Sequence, residues 1–230
     1  MLIKCPEFIT LLIVICFVSC NSQTVECNNK NDIIEEVRKS FNAKKINNEI
    51  VISSKSPAFI DHYNYNTDGN ISVYKGYSII EYSEIKTFIE YQYNDNRLTK
   101  EIKSKYYDDV LIEELSETLT IVEYDINNKP ILIKSEDGLI NKVYTYKDCL
   151  ESSETIHDIK KEKVIKFKEL KYDENSNLIN LNTTFEYEEK IIEEMFFVNY
   201  EYNANRDWIF RAIILSDDTY LIEKREITYK

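Results

Sequence analysis

The chain has 230 residues, a length that one all-β domain can use in full. Its 29 basic and 41 acidic residues give a formal net charge of −12. It therefore lacks the electrostatic footprint of a nucleic-acid-binding protein, or of a protein held on anionic lipid by basic residues. Only 3 Gly argue against nucleotide-binding folds with glycine-rich loops, whereas 18 Tyr and 10 Phe are typical of half-buried strands.

The chain begins with the features of an export signal. Lys4 provides a weakly positive start, and the residues from Phe8 to Val18 are apolar except for Thr10. This run is shorter than the roughly 20 residues that a membrane-spanning helix needs, and it matches the apolar region of a signal peptide. Ser19 then offers the small residue that a processing peptidase requires.

The residues Phe17-Val18-Ser19-Cys20 resemble the lipobox of bacterial lipoproteins, although that family prefers Leu where this chain has Phe17. The resemblance implies that residues 1–19 are a signal peptide and that Cys20 becomes the lipidated first residue, which is enough for stable anchoring. No acidic cluster follows Cys20, and the same resemblance then implies an outer-membrane lipoprotein that faces the periplasm. An ordinary secretory signal with an incidental cysteine is the alternative.

Two cysteines remain beyond the signal and the lipidated residue. Residues 20–31 are polar and predict a flexible tether between membrane and domain. Cys27 lies in this tether and Cys149 lies far along the chain, and an oxidising periplasm permits a disulfide between them. Two unpaired thiols are the alternative. Neither cysteine has the spacing to another cysteine or to a histidine that a zinc site requires.

Residues 32–58 predict a short helix followed by a lead-in strand. Asp32 can cap a helix over residues 33–41, because apolar side chains recur there at helical spacing. We expect the apolar face to dock on a sheet edge or to cover an open end, and a partner-binding helix is the alternative. Residues 46–52 alternate in polarity and predict an extended strand.

Residues 59–230 carry a loose repeat. Each unit has an aromatic or aliphatic residue, any residue, a Tyr, an Asn or Asp, a short polar turn and an aliphatic residue. The tyrosines that mark the successive units are Tyr65, Tyr93, Tyr124, Tyr146, Tyr172, Tyr202 and, in a final half unit, Tyr229. The spacing between them varies, which indicates that the loops change while the unit is kept.

The chemistry of the unit is that of a β-hairpin. Side chains alternate along a strand, so Tyr63 and Tyr65 are expected on one face. The Asn or Asp that follows ends the strand by offering its side chain to the backbone. Asp68-Gly69 supplies the positive φ of a tight turn, and other copies use Asn, which tolerates that conformation best after Gly.

This pattern resembles the YD repeat of Rhs-type proteins, in the degenerate form of small bacterial lipoproteins, over about 170 residues from near Phe59. The resemblance implies an antiparallel meander that curls into a sheet or shell. Strands and turns of roughly 12 to 14 residues give about a dozen strands, and sheets that large tend to curl or close. We therefore predict an all-β protein with a curled or partly closed sheet and one short N-terminal helix. The chain has too few units to enclose a toxin domain as the large relatives do.

Residues that carry catalysis or bind metals are sparse. The histidines, His62 and His157, are predicted to be surface residues. Neighbouring carboxylates on a strand point to opposite faces and cannot share a site. Such pairs are Glu113-Glu114, Glu188-Glu189 and Glu193-Glu194, and the turn pairs Asp108-Asp109 and Asp217-Asp218 lack the spacing of a calcium loop. The sequence predicts no catalytic residue, no cofactor and no metal.

These observations predict a lipid-anchored cell-envelope protein that binds or scaffolds and is not an enzyme. Its partners are the membrane, through the anchor, and a protein or glycan, but no nucleic acid. Aromatic rows can stack on sugars, although packing within the sheet is the interpretation that we favour. The main alternative is an immunity or inhibitor lipoprotein whose acidic surface neutralises a basic envelope-targeted toxin. An envelope hydrolase is a third hypothesis.

Overall fold

The computed structural model describes residues 32–80, 83–186 and 190–230. These residues form sixteen strands and one 3₁₀ helix, Glu113–Leu115. The strands are β1 (Ile33–Ile46), β2 (Glu49–Ile52), β3 (Phe59–Tyr65), β4 (Ile71–Ile80), β5 (Ser83–Asn94), β6 (Arg97–Tyr107), β7 (Val110–Leu111), β8 (Glu117–Tyr124), β9 (Pro130–Ser135), β10 (Ile140–Lys147), β11 (Leu150–Asp158), β12 (Lys163–Tyr172), β13 (Leu178–Glu186), β14 (Lys190–Tyr202), β15 (Trp208–Leu215) and β16 (Tyr220–Tyr229).

All the strands belong to one antiparallel sheet that closes on itself. Strands β2 and β7 pair only with the ends of β1 and β6, and the other fourteen pair in chain order. Strand β1 pairs with β3 on one side and with β16 on the other, which completes the ring. The predicted all-β class and curled sheet are confirmed, and the curl is a full closure.

The ring consists of seven antiparallel strand pairs. Six of them are the hairpins β3–β4, β5–β6, β8–β9, β10–β11, β12–β13 and β14–β15, and each turn begins within two residues after a tyrosine of the repeat. The seventh pair is β16–β1, which closes the ring without a turn: the backbone N–H of Lys230 donates to the carbonyl of Asp32 at 2.7 Å. All seven positions lie at one end of the closed sheet, which we call the turn end.

The turns follow the predicted chemistry. In four of them the side-chain oxygen of the Asn or Asp after the strand accepts backbone N–H groups two and four residues later, at 2.8–3.0 Å. These residues are Asn66, Asp125, Asp173 and Asn203. The residue with positive φ is Gly69 in the first turn and Asn128, Ser176 or Arg206 in the others. Only one of these four turns contains the glycine, so the hairpin of the repeat forms without it in the other three.

Tyrosine hydroxyls join successive hairpins at the turn end. Tyr93 donates to the carbonyl of Ile71 at 2.7 Å, and Tyr146 donates to that of Pro130 at 2.8 Å. Tyr124 and Tyr200 make the same kind of bond to Leu98 and Leu178 of the preceding hairpins. A hydrogen bond of this type contributes about 1 kcal/mol. These tyrosines therefore connect neighbouring hairpins through a hydrogen bond, in addition to packing their rings.

The predicted helix over residues 33–41 is wrong, because these residues form the first part of β1. Alternate residues of β1 face the interior, and these include the charged side chains of Glu36 and Arg38. Their burial hides the two-residue period, since a sequence analysis assigns charged residues to solvent. The predicted strand over residues 46–52 is confirmed only for Glu49–Ile52, because Asn47 and Asn48 have positive φ and form the turn between β1 and β2.

Apolar side chains fill three separate parts of the interior. The largest cluster lies between β12 and β16 and includes Leu181, Phe185, Met195 and Phe197. The two smaller clusters are Tyr63, Ile71, Tyr74 and Ile89, and Leu119, Ile121 and Ile133. Aromatic packing inside the sheet is confirmed, with the rings of Tyr63 and Tyr74 at a centroid distance of 5.2 Å. No helix in residues 32–80, 83–186 or 190–230 has the length and apolar character needed to span a bilayer.

Candidate functional site

Charged side chains occupy the interior between the apolar clusters. The first group, which we call the arginine–tryptophan cluster, comes from β1, β3, β15 and β16. Its members are all buried and are Glu36, Arg38, Asp61, Trp208, Arg211, Glu223 and Arg225. Strand alternation brings them together, because residues two apart on one strand share the inner face and the neighbouring strand presents its own alternate residues beside them.

Three arginines surround the ring of Trp208. The guanidinium carbons of Arg211, Arg225 and Arg38 lie 4.4, 4.9 and 5.4 Å from rings of this side chain. Arg38 and Arg225 are directly opposite each other on paired strands, an arrangement that repels. Glu36 offsets this repulsion, because its carboxylate accepts hydrogen bonds from both arginines, at 2.5 Å from Arg225.

The charge of Glu36 is held in place by its partners. Burial by itself raises the pKa of this carboxyl, but the nearby guanidinium groups of Arg38 and Arg225 and their hydrogen bonds outweigh it and lower the pKa to about 2. Arg211 has its own partner, since its Nε donates to Glu223 Oε2 at 2.5 Å. Each of the three arginines of the cluster is therefore paired with a buried glutamate.

Asp61 is the exception among the carboxyl groups of this cluster. Tyr74 donates its hydroxyl proton to Asp61 Oδ1 at 2.7 Å. Gly76 makes room for that bond, because a Cβ at this position would lie 2.3 Å from the Tyr74 hydroxyl oxygen. Burial is the main reason that the pKa of Asp61 rises to about 6; the Tyr74 hydrogen bond lowers it, and the charge of Glu223 raises it further.

A small cavity lies beside these groups. It has a volume of about 20 Å³, room for about one water molecule. Its polar wall is made by Arg38, Ser40, Asp61, Arg211 and Glu223, and its apolar wall includes side chains of the largest apolar cluster. A space of this size does not admit an organic substrate.

A second charged group, the lysine–glutamate cluster, lies on the inner faces of β6, β8, β10, β11 and β12. Lys168 contacts Glu154 at 2.6 Å, and Glu117 lies 3.0 Å from Lys103 and 3.6 Å from Lys142. The complete cluster is Glu101, Lys103, Glu117, Lys142, Glu151, Glu154, Lys166 and Lys168. It alternates opposite charges across neighbouring strands.

Burial and ion pairing shift the pKa values of the lysine–glutamate cluster in different directions. Glu154 has a pKa of about 2, because Lys168 and Lys166 outweigh the effect of burial. The pKa of Glu151 rises to about 7, chiefly through burial, against the lowering effect of Lys168. The pKa of Lys166 falls to about 8 through burial, although Glu154 raises it.

Both clusters are electrically balanced. The first has three arginines and three carboxyl groups, and the second has four lysines and four carboxyl groups. The formal charge of −12 of the whole chain is therefore carried entirely by residues outside them.

The site residues predicted from the sequence fall in different places. Cys20 and Cys27 lie outside the described residues. Cys149 lies in the two-residue turn between β10 and β11 at the turn end and is disulfide-bonded, so it is not a free thiol. Its pairing with Cys27 stays a prediction. His62 packs on the edge of Tyr77 at a centroid distance of 5.8 Å.

The predicted carboxylate pairs do not assemble into a site. Glu113 begins the 3₁₀ helix, and the Asp108-Asp109 and Asp217-Asp218 pairs lie in turns as predicted. Glu188 and Glu189 are outside the described residues. Within the part of the chain that the structure describes, no three His, Cys, Asp or Glu side chains are grouped so that they could hold a metal ion.

Neither charged cluster was predicted from the sequence. A signal for them exists, since charged residues stand two apart on several strands, as in Glu36/Arg38, Lys166/Lys168 and Glu223/Arg225. Such spacing places both charges on one face, but it does not show that the face is buried. Closure of the sheet decides that, and closure depends on the pairing of β1 with β16.

No family model matches the chain, and no curated protein is significantly similar to it.

Proposed function

We propose that the protein is a lipid-anchored binding protein of the bacterial cell envelope, attached to the membrane through Cys20. The disulfide of Cys149 supports export, because disulfides persist in oxidising compartments and are rare in the cytosol. The signal-like start and the lipobox-like residues before Cys20 point to the same compartment.

The binding role rests on one observation, which is that the inner face of the sheet carries packed side chains. Among the described residues, paired charges and packed aromatic rings cover this face, and the cavity beside the arginine–tryptophan cluster has a volume of about 20 Å³. A partner therefore meets the outside of the sheet or its end connections. The charge of −12, which lies outside the two buried clusters, favours a partner with a basic surface.

The same charge supports one second candidate, an immunity or inhibitor protein for a basic envelope-targeted toxin. A pull-down from envelope extract tests it: recovery of a basic secreted protein that is released by salt and that loses its toxicity when bound favours the immunity role. Recovery of acidic or uncharged partners that salt does not release contradicts it.

Replacing Cys20 tests the anchor. In the Cys20→Ala variant we expect labelled palmitate incorporation to fall at least tenfold and the protein to leave the membrane fraction, because the acyl chains are the attachment. The measurement is radiolabelling with fractionation of the producing bacterium. Cys16→Ala is the matched control, since it removes another cysteine of the same segment that the lipobox does not use. Unchanged label and partition in Cys20→Ala would end the proposal.

A further inference from the structure

The connection between β6 and β8 differs from the tight turns at the other end of the sheet. It lies at the end opposite the turn end and contains β7 and the 3₁₀ helix Glu113–Leu115. Several large apolar side chains along it are exposed, Val110 at 68%. They are Tyr107, Val110, Leu111 and Leu115. A local group of exposed apolar side chains on one connection is a feature of interaction sites.

The start of this connection is bonded to β5. Asp108 and Glu84 exchange two hydrogen bonds, one from the backbone N–H of Asp108 to the Glu84 carbonyl at 2.9 Å and one from the Glu84 N–H to Asp108 Oδ1 at 2.8 Å. Lys86 contacts Asp109 at 2.6 Å. These contacts hold the backbone just before Val110 against β5, which reduces the entropy lost when a partner binds.

Strand β7 also offers a pairing edge. The fourteen strands of the ring have neighbours on both sides, so the ring has no free edge. Among the described strands, β7 pairs with β6 alone, through Leu111 opposite Tyr106 and Val110 opposite Tyr107. Its outer side can take an added strand, a recognition mode in which main-chain hydrogen bonds give affinity and side chains give specificity.

We propose that β7 and the exposed apolar residues around it are the docking surface for an extended segment of a basic partner protein. Exposed acidic residues flank these apolar side chains along the chain, namely Asp108, Asp109, which is paired with Lys86, and Glu113, and this acidic excess complements a segment that carries lysine or arginine between apolar side chains. The surface lies opposite the turn end, where the chain enters at Asp32 and where Cys149 forms its disulfide. This inference rests on the proposed binding function and names its surface and partner class.

A synthetic peptide tests the docking surface directly. The probe is a fluorescent seven-residue peptide of alternating lysine and valine, titrated with the mature protein in detergent and followed by anisotropy. We expect saturable binding, and we expect the dissociation constant to rise at least tenfold in the Val110→Ser/Leu111→Ser variant. Both changes affect exposed side chains, so stability stays within about 0.5 kcal/mol of the parent.

Ile126→Ser is the matched control, because Ile126 is the exposed apolar residue of a turn at the opposite end of the sheet. It should bind the peptide as the parent does. Equal loss in both variants, or equal binding of an alternating glutamate–valine peptide, overturns the proposal. So does self-association or vesicle flotation that the double variant abolishes, since the occupant is then a second copy or lipid. The palmitate experiment tests only the Cys20 anchor. Failure of the anchor proposal and failure of the docking proposal can therefore be distinguished.

Discussion

Replacing Glu36 by Gln is expected to lower the free energy of unfolding by about 3 kcal/mol, the cost of removing one partner from a buried ion pair. Glu36 accepts hydrogen bonds from Arg38 and Arg225, which face each other across paired strands. Without the carboxylate, two buried guanidinium groups lose their shared counter-charge. For a chain of this size the melting temperature should fall by about 6–12 °C. Urea unfolding followed by tryptophan fluorescence gives the free energy.

The control for this change is an exposed ion pair on the same two strands. Lys39 and Glu226 lie 2.6 Å apart, with the Glu226 side chain 65% exposed. Glu226→Gln should change the free energy of unfolding by less than about 1 kcal/mol, because exposed pairs contribute little. Similar values for the two variants would mean that Glu36 is solvated and that the arginine–tryptophan cluster is not enclosed.

Stability should decrease as the pH rises from about 5 to 7. The pKa of Asp61 is raised from 3.8 to about 6 in the folded protein. Below the pKa of Asp61 in the unfolded chain, both the folded and the unfolded protein bind this proton. The carboxyl group then does not lower the free energy of unfolding. As the pH rises, the unfolded chain releases the proton first, so the folded state loses about 3 kcal/mol by the time Asp61 has ionised. Glu151, with a pKa of about 7, acts in the same direction.

Other buried groups set the limits of this pH window. Glu36 and Glu154 have pKa values of about 2, so their contribution is lost only as the pH falls below the unfolded value of 4.5. Lys166 has a pKa of about 8 in the folded protein and 10.5 in the unfolded chain. The free energy of unfolding therefore rises again between these two pH values. Together with Asp61 and Glu151, these groups place the maximum of the free energy of unfolding near pH 4–5.

Thermal unfolding between pH 4 and 8 checks this prediction, with Asp61→Asn and Glu151→Gln as test variants. Each should flatten the slope, and the exposed Glu90→Gln should not. Asp61→Asn keeps an acceptor for the Tyr74 hydroxyl, so a flatter slope reports the lost charge and not a lost hydrogen bond. Stability that rises steadily from pH 4 to 7 would contradict the account.

The hairpins could be predicted from the sequence because their chemistry is local. A tyrosine, an Asn or Asp that bonds its own backbone and a residue tolerant of positive φ lie within a few positions of one another, as in Tyr65, Asn66 and Gly69. Each signal acts within a single turn. Four of the six repeat turns show all of this chemistry, and the tyrosines mark the positions of all six.

Closure and the buried charges could not be predicted, because they depend on contacts between distant residues. Strand β1 pairs with β16, and the bonded residues Glu36 and Arg225 are 189 positions apart in the sequence. Only this pairing brings them together. Residues 33–41 carry apolar side chains at helical spacing, and nothing within the segment shows that Glu36 and Arg38 face inward. The charged interior is a consequence of the ring, not of any one strand.

Nuclear Overhauser measurements between β1 and β16 test the closed ring most directly. We expect cross-strand backbone contacts that connect residues 36–42 with residues 221–227 in an antiparallel register, with Arg38 opposite Arg225. Helical contacts within residues 33–41, or the absence of any contact between these two segments, would contradict the ring and the enclosed clusters that depend on it.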